Sequence, residues 1–247
     1  MVERSFSYQV GDVRLPVLAY LPERHHPVPA VLVVHGAGWT GGSPQGFRGP
    51  AEALARAGLA AFDVGYTLGT RLHPGFPGQV NDLVGAVEWI RDHARSLGVD
   101  PSRLGALGSS AGGNLVALLA LDAGGPRLTS VVTWSAPEDL MTMRSGPAWL
   151  VGDLEADLGC TAEECPQRWR QAAPVDHIAR TPTRWLIFNS RNEVVPASGA
   201  EAMASGLRRA GDAVRLILYP GHDHAGEYQA AALAPTVRFL RTSLGTG

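Results

Sequence analysis

Short apolar runs that alternate with helix-forming stretches constrain this chain more than any other feature. "AVLVVH", "LAAFDVGY", "SRLGALGSS", "TSVVTWSAP", "RWLIFNS" and "AVRLILYP" read as strands of the buried type. Between them lie "FRGPAEALARAG", "QVNDLVGAVEWIRDHARSLG", "AGGNLVALLALDAGG" and "SGAEAMASGLRRAG", which read as helices, each ending at Gly. A helix through "AALAPTVRFLRTSLG" closes the chain, and "SFSYQV-GD-VRLPVLAYLP" opens it as a hairpin. Strand–helix alternation of this kind predicts a mostly parallel, doubly wound α/β sheet covered on both faces. Residues 139–172 break the rhythm with two short helices, so one domain over 1–247 with an insertion is expected. In such sheets, chemistry gathers beyond the carboxyl ends of the strands.

At 247 residues the chain can bury a core without disulfide staples. Its net charge of −2, with no basic run, argues against nucleic acid as a partner. All 21 basic residues are Arg, which excludes Schiff-base lysines, Ser-Lys dyads and a P-loop lysine. No stretch approaches 18 apolar residues, so no membrane span is expected, and the charged N-terminus lacks a signal-peptide core. Cys160 and Cys165 are too few for a zinc site and read as free thiols. No metal or cofactor is called for, and a cytoplasmic location is expected.

The strongest chemical motif is "GSSAG", Gly108 to Gly112, between a strand and a helix. Small residues there permit a turn tight enough to push the Ser110 hydroxyl out of the backbone, with a helix N-terminus behind it. Ser110 is the candidate nucleophile, and Ser109 a packing or pocket residue. "HGAGW", residues 35–39, ends an earlier strand and can aim backbone N–H groups at an oxyanion, joined by that of Ala111. His35 is expected to orient this loop, and Trp39 either walls the pocket or packs. "YPGHDHAGEY" follows the last strand and offers His222 and His224 as a general base.

With these pieces placed, the chain resembles the α/β-hydrolase fold family, and within it small esterases with an HGGGW-type oxyanion loop, kynurenine formamidase-like and feruloyl/acetyl-esterase-like. The resemblance runs from about residue 28 to 240, including "GYTLGTRLHPGFPGQVNDLVGAVEWIRDHARSLGVDPSRLGALGSSAGG" and "YPGHDHAG". It implies a carboxylic-ester hydrolase working through an acyl-enzyme, with Ser110 as nucleophile and His224 as base. It also implies an oxyanion hole from the N–H groups of Ala37, Gly38 and Ala111, a cap over 139–172 and a structural Asp82. Trp149 and Trp169 suggest an aromatic wall in that cap. Dimers are common among relatives of this kind, and nothing in the sequence decides that point.

The chain departs from the pattern in three places: Ala37 replaces a usual glycine, "FNS" replaces a usual "HG" pair at the end of the acid strand, and the acid itself is altered. The acid of such a site usually stands four residues before a proline like Pro196, and that residue is Asn192. An amide can orient the imidazole but cannot stabilise the imidazolium. Glu193, one residue later, and Asp139, after the preceding strand, are the alternative acids. A weakened acid would also suit a non-hydrolytic cyclase, lyase or acyl-transfer enzyme on a natural product. A non-catalytic binding module is the third reading.

Overall fold

The computed structural model describes residues 1–246. The opening hairpin is β1 (Val2–Val10) and β2 (Val13–Leu21), turning at Gly11–Asp12. Then follow β3 (Val28–Val34), α1 (Arg48–Arg56), β4 (Ala60–Val64), α2 (Gly78–Asp92), α3 (Ala94–Leu97), β5 (Val99–Ser109) and α4 (Ala111–Leu121). The second half runs β6 (Ser130–Trp134), α5 (Ala148–Leu158), α6 (Pro166–Gln171), β7 (Arg184–Ser190), α7 (Ala197–Ala210), β8 (Ala213–Tyr219) and α8 (Gln229–Ser243). The eight strands form one sheet in the order β1-β2-β4-β3-β5-β6-β7-β8, antiparallel at β1/β2 and β2/β4 and parallel elsewhere.

The period of two along β3 explains why both faces are covered. Ala30, Leu32 and Val34 pack toward α2, α4 and α7, through side chains such as Leu83, Val87, Leu119 and Met203. Val31 and Val33 pack toward α1 and α8, against Leu54 and Leu240. All seven residues of β3 are buried, which is why this strand reads as a continuous apolar run rather than an alternating one.

The chain passes from β3 outward to β4, then returns to lay β5 on the other side of β3. The order therefore reverses between β3 and β5, and the crevice at their carboxyl ends is the topological switch point. The register places Val34 beside Gly108, so the loop that starts at His35 and the turn at Ser110 emerge side by side. That juxtaposition positions the site.

Two expectations are corrected. The helix expected through residue 98 breaks at His93, whose Nδ1 donates to the carbonyl of Trp89 at 2.8 Å, and α3 resumes after it. Cys160 and Cys165 form a disulfide between α5 and α6 rather than remaining free thiols. No helix among the described residues is long and apolar enough to cross a membrane.

Candidate active site

At the end of β5 the chain turns through Ser110 with φ 51° and ψ −120°, a conformation non-glycine residues rarely hold. Its N–H donates to the carbonyl of Trp134 at 2.7 Å, and its carbonyl accepts from Asn114 at 3.1 Å, which pins the turn from both sides. Gly108 and Gly112 are required by close approach. A Cβ on Gly108 would strike the backbone of Gly112 and Gly113, and one on Gly112 would strike the carbonyls of Val34 and His35. The Ser110 hydroxyl is thereby held at the mouth of the crevice.

His224 follows β8 on a loop fixed by its own backbone N–H, which donates to Glu227 Oε2 at 2.6 Å. Its Nε2 lies 2.9 Å from Ser110 Oγ. The loop is tied to the end of β7 by Ser190, whose hydroxyl donates to the carbonyl of Asp223 at 2.6 Å. His222 points elsewhere, its Nδ1 donating to the backbone carbonyl of Asn192 at 2.8 Å.

The group that meets Nδ1 of His224 is Oε2 of Glu193. Asn192 is corrected as the acid. The β7–β8 pairing runs on past Ser190, with Arg191 donating to Tyr219 at 3.0 Å and Asn192 to Gly221 at 3.1 Å, so Asn192 stays on the exposed rim. The chain then turns, and the longer Glu193 side chain reaches back under His224 with no solvent exposure. Its other oxygen, Oε1, accepts from the Ser190 N–H and the Ser135 hydroxyl, each at 2.7 Å. Asp139, the other alternative acid, accepts from the Met141 N–H at 3.1 Å and caps a short 3₁₀ turn.

Ser135, which no sequence motif marks, is the hub behind this chain of contacts. It sits just past β6 with φ 48°. Its Oγ accepts from the Ala225 N–H at 2.9 Å and lies 2.7 Å from the Tyr228 hydroxyl while donating to Glu193. Burial pushes the Tyr228 phenol upward, so it stays a neutral partner. Only the convergence of β6, β7 and the His224 loop reveals this role.

Across the crevice, Ala37, Gly38 and Trp39 all adopt positive φ, at 83°, 64° and 62°. Ala37 and Gly38 line the same cavity as Ser110 and His224, a cleft of about 510 Å³, and Ala111 begins α4 directly after Ser110. His35 is buried, donates from Nδ1 to the Gly36 carbonyl at 2.8 Å and stacks on Tyr66 at 4.5 Å. Burial lowers its pKa, keeping it a neutral brace for the loop. Trp39 does not wall the pocket: it is buried, with Nε1 3.3 Å from Asn114 Oδ1. Ser109 does line the cleft, as do Trp149, Leu150 and Asp153 of α5. Trp169 is fully buried instead, donating to the Cys160 carbonyl at 3.1 Å. Asp82 accepts from the Thr67 N–H at 2.7 Å, bracing the chain after β4.

The BD-FAE family model matches residues 18–207, which is 190 of 247 residues. The chain belongs to the BD-FAE family. The BD-FAE match takes in the "HGAGW" loop, the Ser110 turn and Glu193, and stops short of the His224 loop. Carboxylesterase NlhH of Mycobacterium tuberculosis is 36% identical to this BD-FAE chain over 137 residues, 53% of the chain and 42% of that protein. Esterase LipQ of the same organism is 27% identical over 241 residues, 91% of the chain and 54% of that protein. The chain thus spans about half the length of these curated relatives. Among solved structures, the thermophilic esterase Est2 of Thermogutta terrifontis superposes with TM-score 0.79 at 24% identity, covering 98% of this chain and 92% of that one. The metagenomic carboxylesterase EstE1 superposes with TM-score 0.85 at 22% identity, covering 98% and 89%. These likenesses give this BD-FAE member the α/β-hydrolase fold.

Proposed function

We propose that this protein is a serine esterase that hydrolyses carboxylic esters of small molecules through an acyl-enzyme. The observation that carries this reading is the hydrogen-bonded chain from Ser110 Oγ to His224 Nε2, and from His224 Nδ1 to the buried Glu193 carboxylate. The esterase relatives support it.

Ser110 Oγ attacks the ester carbonyl carbon while its proton passes to His224 Nε2. Glu193 holds the imidazole in the tautomer with the proton on Nδ1, and stabilises the imidazolium that forms. The N–H groups of Ala37, Gly38 and Ala111 receive the oxyanion; the left-handed backbone at Ala37 and Gly38 suits amides turned into the crevice. The tetrahedral intermediate then collapses. The C–O bond to the alcohol breaks, His224 returns the proton to the departing oxygen, and the acyl group remains on Ser110. Water, deprotonated by His224, repeats the sequence and frees the acid.

A carboxylate on His224 removes the motive for the cyclase, lyase or acyl-transfer alternative, which rested on an amide in the acid's place. The test is labelling by a fluorophosphonate together with turnover of p-nitrophenyl acetate. The reading expects a covalent adduct on Ser110, and loss of both labelling and turnover in Ser110→Ala. Turnover that survives Ser110→Ala would overturn it, and an intact protein that neither labels nor turns over would leave the binding-module reading in its place.

A further inference from the structure

The cleft that holds Ser110 and His224 carries one carboxylate of its own, Asp153, placed by α5 of the β6–β7 insertion. Asp153 Oδ2 lies against Gly38, so close that a Cβ on that glycine would collide with it. Its Oδ1 accepts from the Thr40 hydroxyl at 3.3 Å, and no salt bridge among the described residues compensates its charge. The chain has 21 Arg residues, yet none of them lines the cleft. One helical turn before Asp153, on the same face of α5, Trp149 lines the cleft and is 59% exposed. An uncompensated carboxylate beside an open indole face is the pairing that attracts an organic cation, by Coulomb attraction from one side and the ring quadrupole from the other.

We infer that Asp153 and Trp149 form a subsite for a cationic group of the substrate, a quaternary or protonated ammonium on its alcohol or acyl part. This rests on the esterase reading above and names the substrate class for that site. The carboxylate also has a cost that the cation removes. A bare negative charge next to the oxyanion loop disfavours the anionic transition state of a neutral ester and, more so, of an anionic one. With the ammonium in place, the local charge is balanced before the oxyanion develops.

The test uses two pairs of substrates that differ in charge but not in shape. One is acetylthiocholine against S-(3,3-dimethylbutyl) thioacetate, for the alcohol side; the other is betaine ethyl ester against ethyl 3,3-dimethylbutanoate, for the acyl side. The quantity read is the kcat/KM of the cationic member divided by that of its neutral twin. In the parent protein at least one ratio is expected to exceed one and to shrink as salt is raised. In Asp153→Asn that ratio is expected to fall about tenfold, and Trp149→Ala should lower it in the same direction. Ratios for both pairs that match between the parent and Asp153→Asn would overturn the inference. Ser110→Ala separates the two levels: neutral twins turned over only with Ser110 present keep the esterase reading alive whatever the ratios do. Turnover that persists without Ser110 would remove the esterase reading, and this subsite with it.

Discussion

Nδ1 of His224 and Oε2 of Glu193 are hydrogen-bonded across a chain separation of 31 residues, and the carboxylate is completely withdrawn from solvent. Burial of an ionised carboxylate is tolerable only where donors converge on it. Here the donors are the Ser190 N–H, the Ser135 hydroxyl and the imidazole itself. Several consequences can be measured.

Ser135→Gly keeps the left-handed backbone at φ 48° and deletes the hydroxyl. Glu193 then loses a donor, and the Ala225 N–H loses its acceptor. We expect kcat to fall about tenfold with KM little changed, and stability to drop by about 1–3 kcal/mol, the usual cost of stranding buried polar groups. Ester kinetics alongside urea denaturation check both parts. A stability loss with kcat unaltered would reduce Ser135 to a packing residue.

Ala37 stands at φ 83°, where an L side chain is strained and glycine is not. Ala37→Gly should therefore retain activity and gain about 0.5–1 kcal/mol, the strain relieved exceeding the extra unfolded-state freedom of glycine. Gly38→Ala should do the reverse, because its Cβ would meet the Asp153 carboxylate. Paired thermal melts and rate measurements on the two variants decide this.

Glu138 is buried behind β6, with Thr133 as the one hydrogen-bond partner of its carboxyl at 3.3 Å and its Oε2 unpartnered. Burial pushes its pKa from 4.5 up to about 8, the Thr133 hydrogen bond offsetting only part of that. The folded state thus binds the proton more tightly than the unfolded chain does. The stabilisation from this group is fully present below pH 4.5, and is lost as pH rises from there through about 8. Glu138→Gln should flatten that decline. Urea denaturation of both proteins from pH 5 to 8 should show the variant gaining on the parent as pH rises. Parallel curves would contradict the assignment.

The sheet and the Ser110 turn were legible because each depends on local pattern: apolar runs and small residues at a turn. The loop after the last strand offered His222 and His224 alike, and only the family resemblance favoured His224. The acid was not legible, because its identity depends on where the β7–β8 pairing ends. That pairing extends to Asn192 through the carbonyl of Gly221, a tertiary contact that shifts the usable position by one residue. Glu193 was visible as the nearest carboxylate, but not its burial. Ser135 carries no motif of its own, since its role arises only where three loops meet. Trp39 and Trp149 were indistinguishable by composition, and the fold buries the first and leaves the second open in the cleft.

The most direct test compares kcat/KM on p-nitrophenyl acetate for the parent protein, Asn192→Asp and Glu193→Gln. Asn192 is exposed and the imidazole Nδ1 is already bonded to Glu193, so Asn192→Asp should leave the rate within about threefold. Glu193→Gln removes the charge that stabilises the imidazolium and should lower kcat by about 10³–10⁴. A rise of about a hundredfold in Asn192→Asp, which is about 2.7 kcal/mol of barrier, with Glu193→Gln unimpaired, would contradict the assignment of Glu193.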